Sequence, residues 1–303
     1  GIFLLRFSGQ GLMSHTAATA ISRYFEKSRG KALSMIWFGL SCGEFLLPVT
    51  IVYLFSLFYW RNIWTGIAVV IILFLPLVAF FTIRNLQFSS REKNNNLLDN
   101  QSLNIKNWQR KEVLTDYRFY IISLTMLAMP CIATGVFVYQ SFITESKNWG
   151  AFVIAKSFMA YSIMSVVTLV ISGFLIDKYT SRKFLPLMNL PLLVGLIVLS
   201  FFKNPISSYF FLGLLGISNG LANVLGSSTW AEIYGVRYIG GIKALTTAMM
   251  VFSTAFGTAI FGFFIDNGFS IEKIGIGCLF YVITSIILIF LFRNTFEPRV
   301  IKT

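Results

Sequence analysis

Apolar residues in this chain neither alternate nor form stripes; they run. Nine mostly apolar stretches stand at 1–20, 32–56, 62–83, 119–142, 151–176, 184–202, 208–231, 244–265 and 274–292, separated by polar or basic breaks. About 20 such residues are what a helix needs to cross a bilayer. The runs are too long for membrane-barrel strands and lack their period-two alternation. The pattern predicts an all-α integral membrane protein with about nine transmembrane helices. One polar stretch is long, 84–118, and contains Asn94, Asn95 and Asn96. It reads as a linker between a first block, 1–83, and a second, 119–303. Within it, Lys106 to Asp116 is amphipathic and is expected to lie along the membrane surface.

Composition agrees with this reading. Of 303 residues, 56% are hydrophobic and only 12% charged, against about 45–50% and about 25% in soluble domains. The formal charge is +13, and its distribution matters more than its size. Nineteen Lys and Arg collect on one side of the nine spans and four on the other, with Arg6 and Lys156 inside spans. Basic residues mark cytoplasmic loops, so the C-terminus is expected in the cytoplasm of a multi-pass protein of the inner membrane. The charge therefore needs no nucleic-acid partner. Cys42, Cys131 and Cys278 sit singly in apolar runs, which implies neither a disulfide framework nor a metal site. No cofactor is implied. A membrane enzyme would need clustered acids, nucleophiles or metal ligands, and the chain has one histidine and no such cluster.

The ends of the chain resemble each other. Gly11 and Leu12 align with Gly220 and Leu221, and Lys31 to Ser34 align with Lys243 to Thr246. Repeats of this kind build many secondary transporters. Three spans precede the linker and six follow it, which predicts three further spans upstream of Gly1.

Between the fifth and sixth expected spans stand Gly173, Asp177, Lys178, Arg182 and Lys183, with Thr180 between them. This spacing resembles the cytoplasmic signature of the major facilitator superfamily, and the likeness in span order covers essentially the whole chain. The resemblance implies two six-helix halves joined by a long loop, the nine spans being helices 4 to 12 of twelve. Arg23, Arg29, Gly30, Lys31, Gly39, Gly43 and Pro48, with Gly262, Asp266 and Gly268, resemble the monocarboxylate-type and oxalate/formate-type branches. Where those branches carry basic residues in helix 8, this chain has Ser165 and Leu169. Gly173 would admit a neighbouring helix, and Asp177 would face a helix dipole. Arg182 and Lys183 would pair with acids or lipid head groups. Together these residues form either a latch for one conformer or an ordinary basic loop. Gly39 and Gly43 present a small-residue face for helix packing.

Ionisable and amide groups inside spans are costly in lipid and mark candidate sites. Arg6, Gln10 and Ser14 lie along one helix, with Gln10 and Ser14 matched by Asn219 and Asn223 in the repeat. These five are the candidate solute-binding residues, with Arg6 as the charge-selecting one. Glu44 either pairs with Arg6 or carries a proton, and His15 either relays a proton or packs between helices. Lys156 would snorkel to the interface.

The function expected is secondary active transport of a small organic solute, with carboxylates and other anions as candidate substrates and protons as a candidate coupling ion. Its partners would be the lipid bilayer and the solute. The alternatives are a transporter-like sensor or non-transporting remnant, and less favourably a membrane enzyme. Arg6→Ala is expected to weaken uptake of anions in the full-length transporter far more than it lowers expression. Unchanged uptake by well-folded variant protein in a transport assay would remove Arg6 from the site.

Overall fold

A computed structural model describes residues 29–85, 106–235 and 237–297. The first expected span, carrying Arg6, Gln10, Ser14 and His15, lies outside the described residues. All regular structure among them is helical, because a segment surrounded by lipid must satisfy its own backbone hydrogen bonds. Seven helical stretches are long and apolar enough to cross a membrane, and a shorter apolar stretch, Ser41–Leu57, lies within another helix.

In chain order the helices are α1 (Arg29–Leu57), α2 (Trp60–Asn85), α3 (Arg110–Leu114), α4 (Tyr117–Val138), α5 (Gln140–Ser146), α6 (Ala151–Lys178), α7 (Ser181–Phe184), α8 (Leu190–Phe201), α9 (Pro205–Tyr234), α10 (Ile239–Asp266) and α11 (Ile271–Leu291). Their ends follow local chemistry. Asn204 caps α9 by accepting from the Ile206 N–H at 2.9 Å, with Pro205 following it, and Gly235 ends the same helix at φ 81°. Pro has no N–H to leave orphaned in a first turn, and Gly takes positive φ without strain.

The span expected at 184–202 is not one continuous helix. It divides into α7, a 3₁₀ turn at Leu185–Leu187, and α8. Pro186 and Pro191 each remove a backbone donor there. The break is held from its flanks: buried Asn189 donates to the Thr125 carbonyl at 2.9 Å, and Ser218 donates to that of Met188 at 3.3 Å. The span expected at 119–142 ends earlier, with α4 stopping at Val138 and α5 beginning at Gln140.

The tightest seam joins α6 and α9, which run parallel. A methyl group on Gly216 would collide with the Tyr161 carbonyl, and one on Gly220 would lie 2.6 Å from the Ser165 carbonyl oxygen. Glycine is what lets these backbones approach. A hydroxyl rung lines the seam, Ser157 and Ser208 at 2.7 Å, and just past the end of α6 a second, Ser181 and Thr229 at 3.1 Å, ties α7 to α9. A second close crossing joins α10 to α4 at Gly257, against the Cys131 carbonyl. The glycines picked out by sequence behave otherwise. A Cβ on Gly39 or Gly173 would meet nothing within 4 Å, and one on Gly43 would meet only Leu47 of its own helix. The expectation that these positions seat a neighbouring helix is therefore not met by the described packing.

Residues 106–116 also differ from expectation. Only five residues are helical, and the segment docks on protein, with Trp108 and Val113 buried among Phe119, Trp230, Tyr234 and Phe296. Its outer edge is polar: Lys106 Nζ and the Gln109 N–H bond the two Glu112 carboxylate oxygens at 2.8 and 2.7 Å. These contacts hold the Glu112 carboxyl below the usual carboxylate range. α1 packs along α6, whereas α2 turns its apolar residues outward, with Ile63 its one buried residue among the described side chains.

Gly220→Val is expected to destabilise the protein by about 1–3 kcal/mol, the usual cost of overpacking. Gly173→Ala should leave stability unchanged or slightly raised. Thermal unfolding of the two variants in the same detergent checks the contrast.

Candidate functional site

A cavity of about 810 Å³ lies between α1, the α4–α5 turn and α6. Its size falls within the range of small-molecule sites. Gly43, Glu44, Leu47, Pro48 and Ile51 line it from α1, and Ile154, Ala155 and Phe158 from α6. The break at Tyr139 turns the chain so that Gln140, Ser141, Thr144 and Glu145 join the wall. Thr144 spends its hydroxyl proton on the Gln140 carbonyl at 2.7 Å. Glu44 is half-buried at mid-helix, and no described cation pairs with it. A few polar groups on the wall of an otherwise greasy cavity can orient a solute without filling the space.

The repeat-matched amides sit apart from this wall. Asn219 donates to Ser165 Oγ at 3.0 Å across the α6–α9 seam, one turn from the Gly216 contact. Ser165, in the register where a basic residue was of interest, thus serves to hold α9. Asn223 is half-buried one turn further along the same helix.

At the basic end, α6 ends at Lys178, and α7 carries Arg182 and Lys183. Glu232 of α9 accepts the Ser181 N–H at 2.9 Å, and its second oxygen lies 3.6 Å from Arg182 Nε. Arg182 Nη1 also donates to the Phe296 carbonyl at 3.2 Å. Lys178 and Lys183 are exposed, Lys178 lying 5.6 Å from the Tyr179 ring centre. For Asp177 only the backbone, inside α6, is among the described features. The described contacts of Arg182 all stay within residues 106–297.

A stronger ionic tie lies beside it. Buried Arg118 faces buried Asp116 at 2.7 Å, and its Nη1 donates to the carbonyls of Thr295 and Glu297 at 3.2 and 2.9 Å. Tyr234 donates to the same carboxylate at 3.3 Å. At the opposite end, buried Lys147 pairs with Glu272 at 2.9 Å. Sequence reasoning missed the α5 wall, Glu232 and the Arg118 tie. The signals were a polar run just past an apolar span and an acid two residues before an arginine at a helix start. Among the described residues, no group of three or more His, Cys, Asp or Glu could hold a metal ion.

Long apolar helices with ionic ties at both ends and a partly polar internal cavity define a multi-pass membrane protein. The sequence matches the family model of the Major Facilitator Superfamily over residues 1–258, and the chain belongs to that superfamily. It is a membrane transporter of that class, and membership points to a transporter rather than an enzyme. A search of curated proteins found no match.

Removing one partner of a buried ion pair strands the other, at about 3–5 kcal/mol. Arg118→Ala should destabilise by that order and release the C-terminal segment, read as faster carboxypeptidase trimming. Arg182→Ala breaks a longer, part-exposed pair worth about 0–1 kcal/mol, so its melting temperature should barely move.

Proposed function

We propose that the protein is a secondary active transporter that carries a small organic solute by alternating access, using the cavity between α1 and α4–α6. The observation that carries this reading is the contrast between two faces of α6. Towards α9 it is locked by glycine contacts and hydroxyl rungs. Towards α1 it meets a helix whose Gly39 and Gly43 engage no neighbouring helix among the described residues, with a solute-sized cavity between. An interface without interlocked backbones can slide or rock, whereas a close-packed one moves as a unit.

Glu44 is the group proposed to couple transport to protons. It stands on the cavity wall with no described cation to neutralise it, and a carboxyl in that setting is able to take up and release a proton as access alternates. Arg6, Gln10 and Ser14, outside the described residues, remain the proposed solute contacts together with Asn219 and Asn223 of α9, which are not among the residues lining this cavity. Arg6 would favour a carboxylate or another anion. A carboxylate moving with a proton on Glu44 crosses without net charge. His15 is a lesser proton-relay candidate. Gly173, Asp177, Lys178, Arg182 and Lys183 are proposed to bias one conformer at the basic end.

Orientation follows from charge. Arg118, Lys178, Arg182, Lys183, Arg237, Lys243 and Arg293 belong to the end proposed to face the cytoplasm. The protein would sit in the inner membrane with its C-terminus inside.

The test is uptake into proteoliposomes holding the full-length transporter, with a panel of labelled carboxylates and an imposed proton gradient. An inward gradient should accelerate uptake several-fold. Glu44→Gln should abolish that acceleration while leaving solute exchange across the membrane intact. A gradient response unchanged in Glu44→Gln would sink the coupling role.

A further inference from the structure

A second cavity, of about 900 Å³, lies between α4, α10 and α11 and shares no lining residue with the first. Its walls are almost wholly apolar, and the polar side chains on them are turned away. Ser253 donates to the Leu127 carbonyl at 3.0 Å, and Tyr281 donates to that of Leu124 at 2.8 Å. Such a surface offers a solute little to orient it. Phe252 and Phe256 line it yet are 77% and 64% exposed, so the cavity opens on an outer face of the described helices.

One charge stands at its mouth. Lys273, in the first turn of α11, lines the cavity and makes no ion pair or hydrogen bond with the described residues. Its nearest recorded partner is the Phe269 ring, with Nζ 5.9 Å from the centroid. The adjacent acid, Glu272, is already committed to Lys147 at 2.9 Å. A cation without a counter-ion therefore caps an apolar slot. Along α10 the lining runs from Phe264 to Met249, fifteen residues or about 22 Å at the helical rise. That exceeds one leaflet, about half of a 30 Å hydrocarbon core.

A charge at the mouth of an apolar slot long enough to take an acyl chain matches the two ends of one kind of molecule. We propose that this cavity binds an anionic membrane lipid, its phosphate at Lys273 and one acyl chain between α4, α10 and α11. An uncompensated ammonium favours a head group with net negative charge over a zwitterionic one. The chain gains the burial that the exposed phenylalanine rim leaves unused. The inference does not depend on the transport reading.

Native mass spectrometry of the delipidated full chain tests it, with phosphatidylglycerol and phosphatidylcholine of identical acyl chains supplied in equal amounts. The phosphatidylglycerol adduct should be several-fold the more abundant, and Lys273→Gln should bring the two to parity. Gly277 lines the cavity, and a Cβ there would meet nothing within 4 Å. Gly277→Leu should therefore lower both adducts several-fold at an unchanged melting temperature. If that variant does not fold, the Lys273→Gln comparison decides alone. A phosphatidylglycerol preference that survives Lys273→Gln overturns the proposal. So does a lipid-free dimer in which the α10–α11 face is covered by a second copy.

Discussion

In a bilayer, helices gain little from hydrophobic contact with one another, because lipid tails are as apolar as leucine. What joins them is close backbone approach and polar bonds, and here both concentrate between α6 and α9. Gly216 and Gly220 receive the Tyr161 and Ser165 backbone, and Ser157, Ser208, Ser165 and Asn219 complete the seam. The other helices take their positions from this pair. α8 packs on α9 and α11, its break held by Asn189 and Ser218, while α4 reaches the same centre through Thr125 and seats α10 at Gly257. α1 and α2 stand apart. Among the described residues α1 leans on α6 without a glycine seat, and α2 touches little beyond α1.

The ends of the bundle are governed by different physics. At the basic end, Arg118 neutralises Asp116 and spends a further nitrogen on two carbonyls after α11. This gathers the start of α4, the end of α9 through Tyr234, and the C-terminal segment onto one guanidinium. Trp108 and Phe296, from the two ends of that body, fill the aromatic space beneath. The Arg182–Glu232 pair is longer and wetter, and the backbone bond from Ser181 to Glu232 does more to fix α7 than the ion pair does.

The spans were legible because lipid imposes them: a run of apolar residues long enough to cross has few other uses. The break in the 184–202 run was written in Pro186 and Pro191, but hydropathy counts carbon, not lost amide donors. Glycine spacing is a weaker signal for a related reason. Gly39 and Gly43 have the same four-residue separation as Gly216 and Gly220, and among the described residues only the second pair has a helix laid across it. Spacing says that a face is small and says nothing of what meets it. Asn219, picked out for its depth and its match in the repeat, also donates to Ser165 on the neighbouring helix, a bond that the sequence does not announce. The amphipathic stretch around Trp108 had the pattern of a surface helix, and its apolar face found protein before it found lipid. Glu44 was visible as an acid in an apolar span. Its company of Gln140, Ser141 and Glu145 was not, because the turn at Tyr139 brings them from another helix.

The two cavities show how one scaffold separates chemistries. Both have walls of long apolar helices, and both include hydroxyl-bearing residues. In the α4–α10–α11 cavity, Ser253 and Tyr281 bond carbonyls of the helix opposite, which ties α10 and α11 to α4 and removes those hydroxyls from any ligand. In the cavity beside α1, Thr144 bonds within its own short helix, while Glu44, Gln140 and Ser141 remain on the wall. Hydroxyls that stitch helices together leave an inert slot. Polar groups that bond locally, or not at all, leave a wall that can recognise something. The stitched cavity lies where α4 seats α10 and α11, and the unstitched one lies between α6 and α1. A recognition site placed there can change shape at small cost, because among the described residues no interhelical side-chain bond on that wall must first be broken.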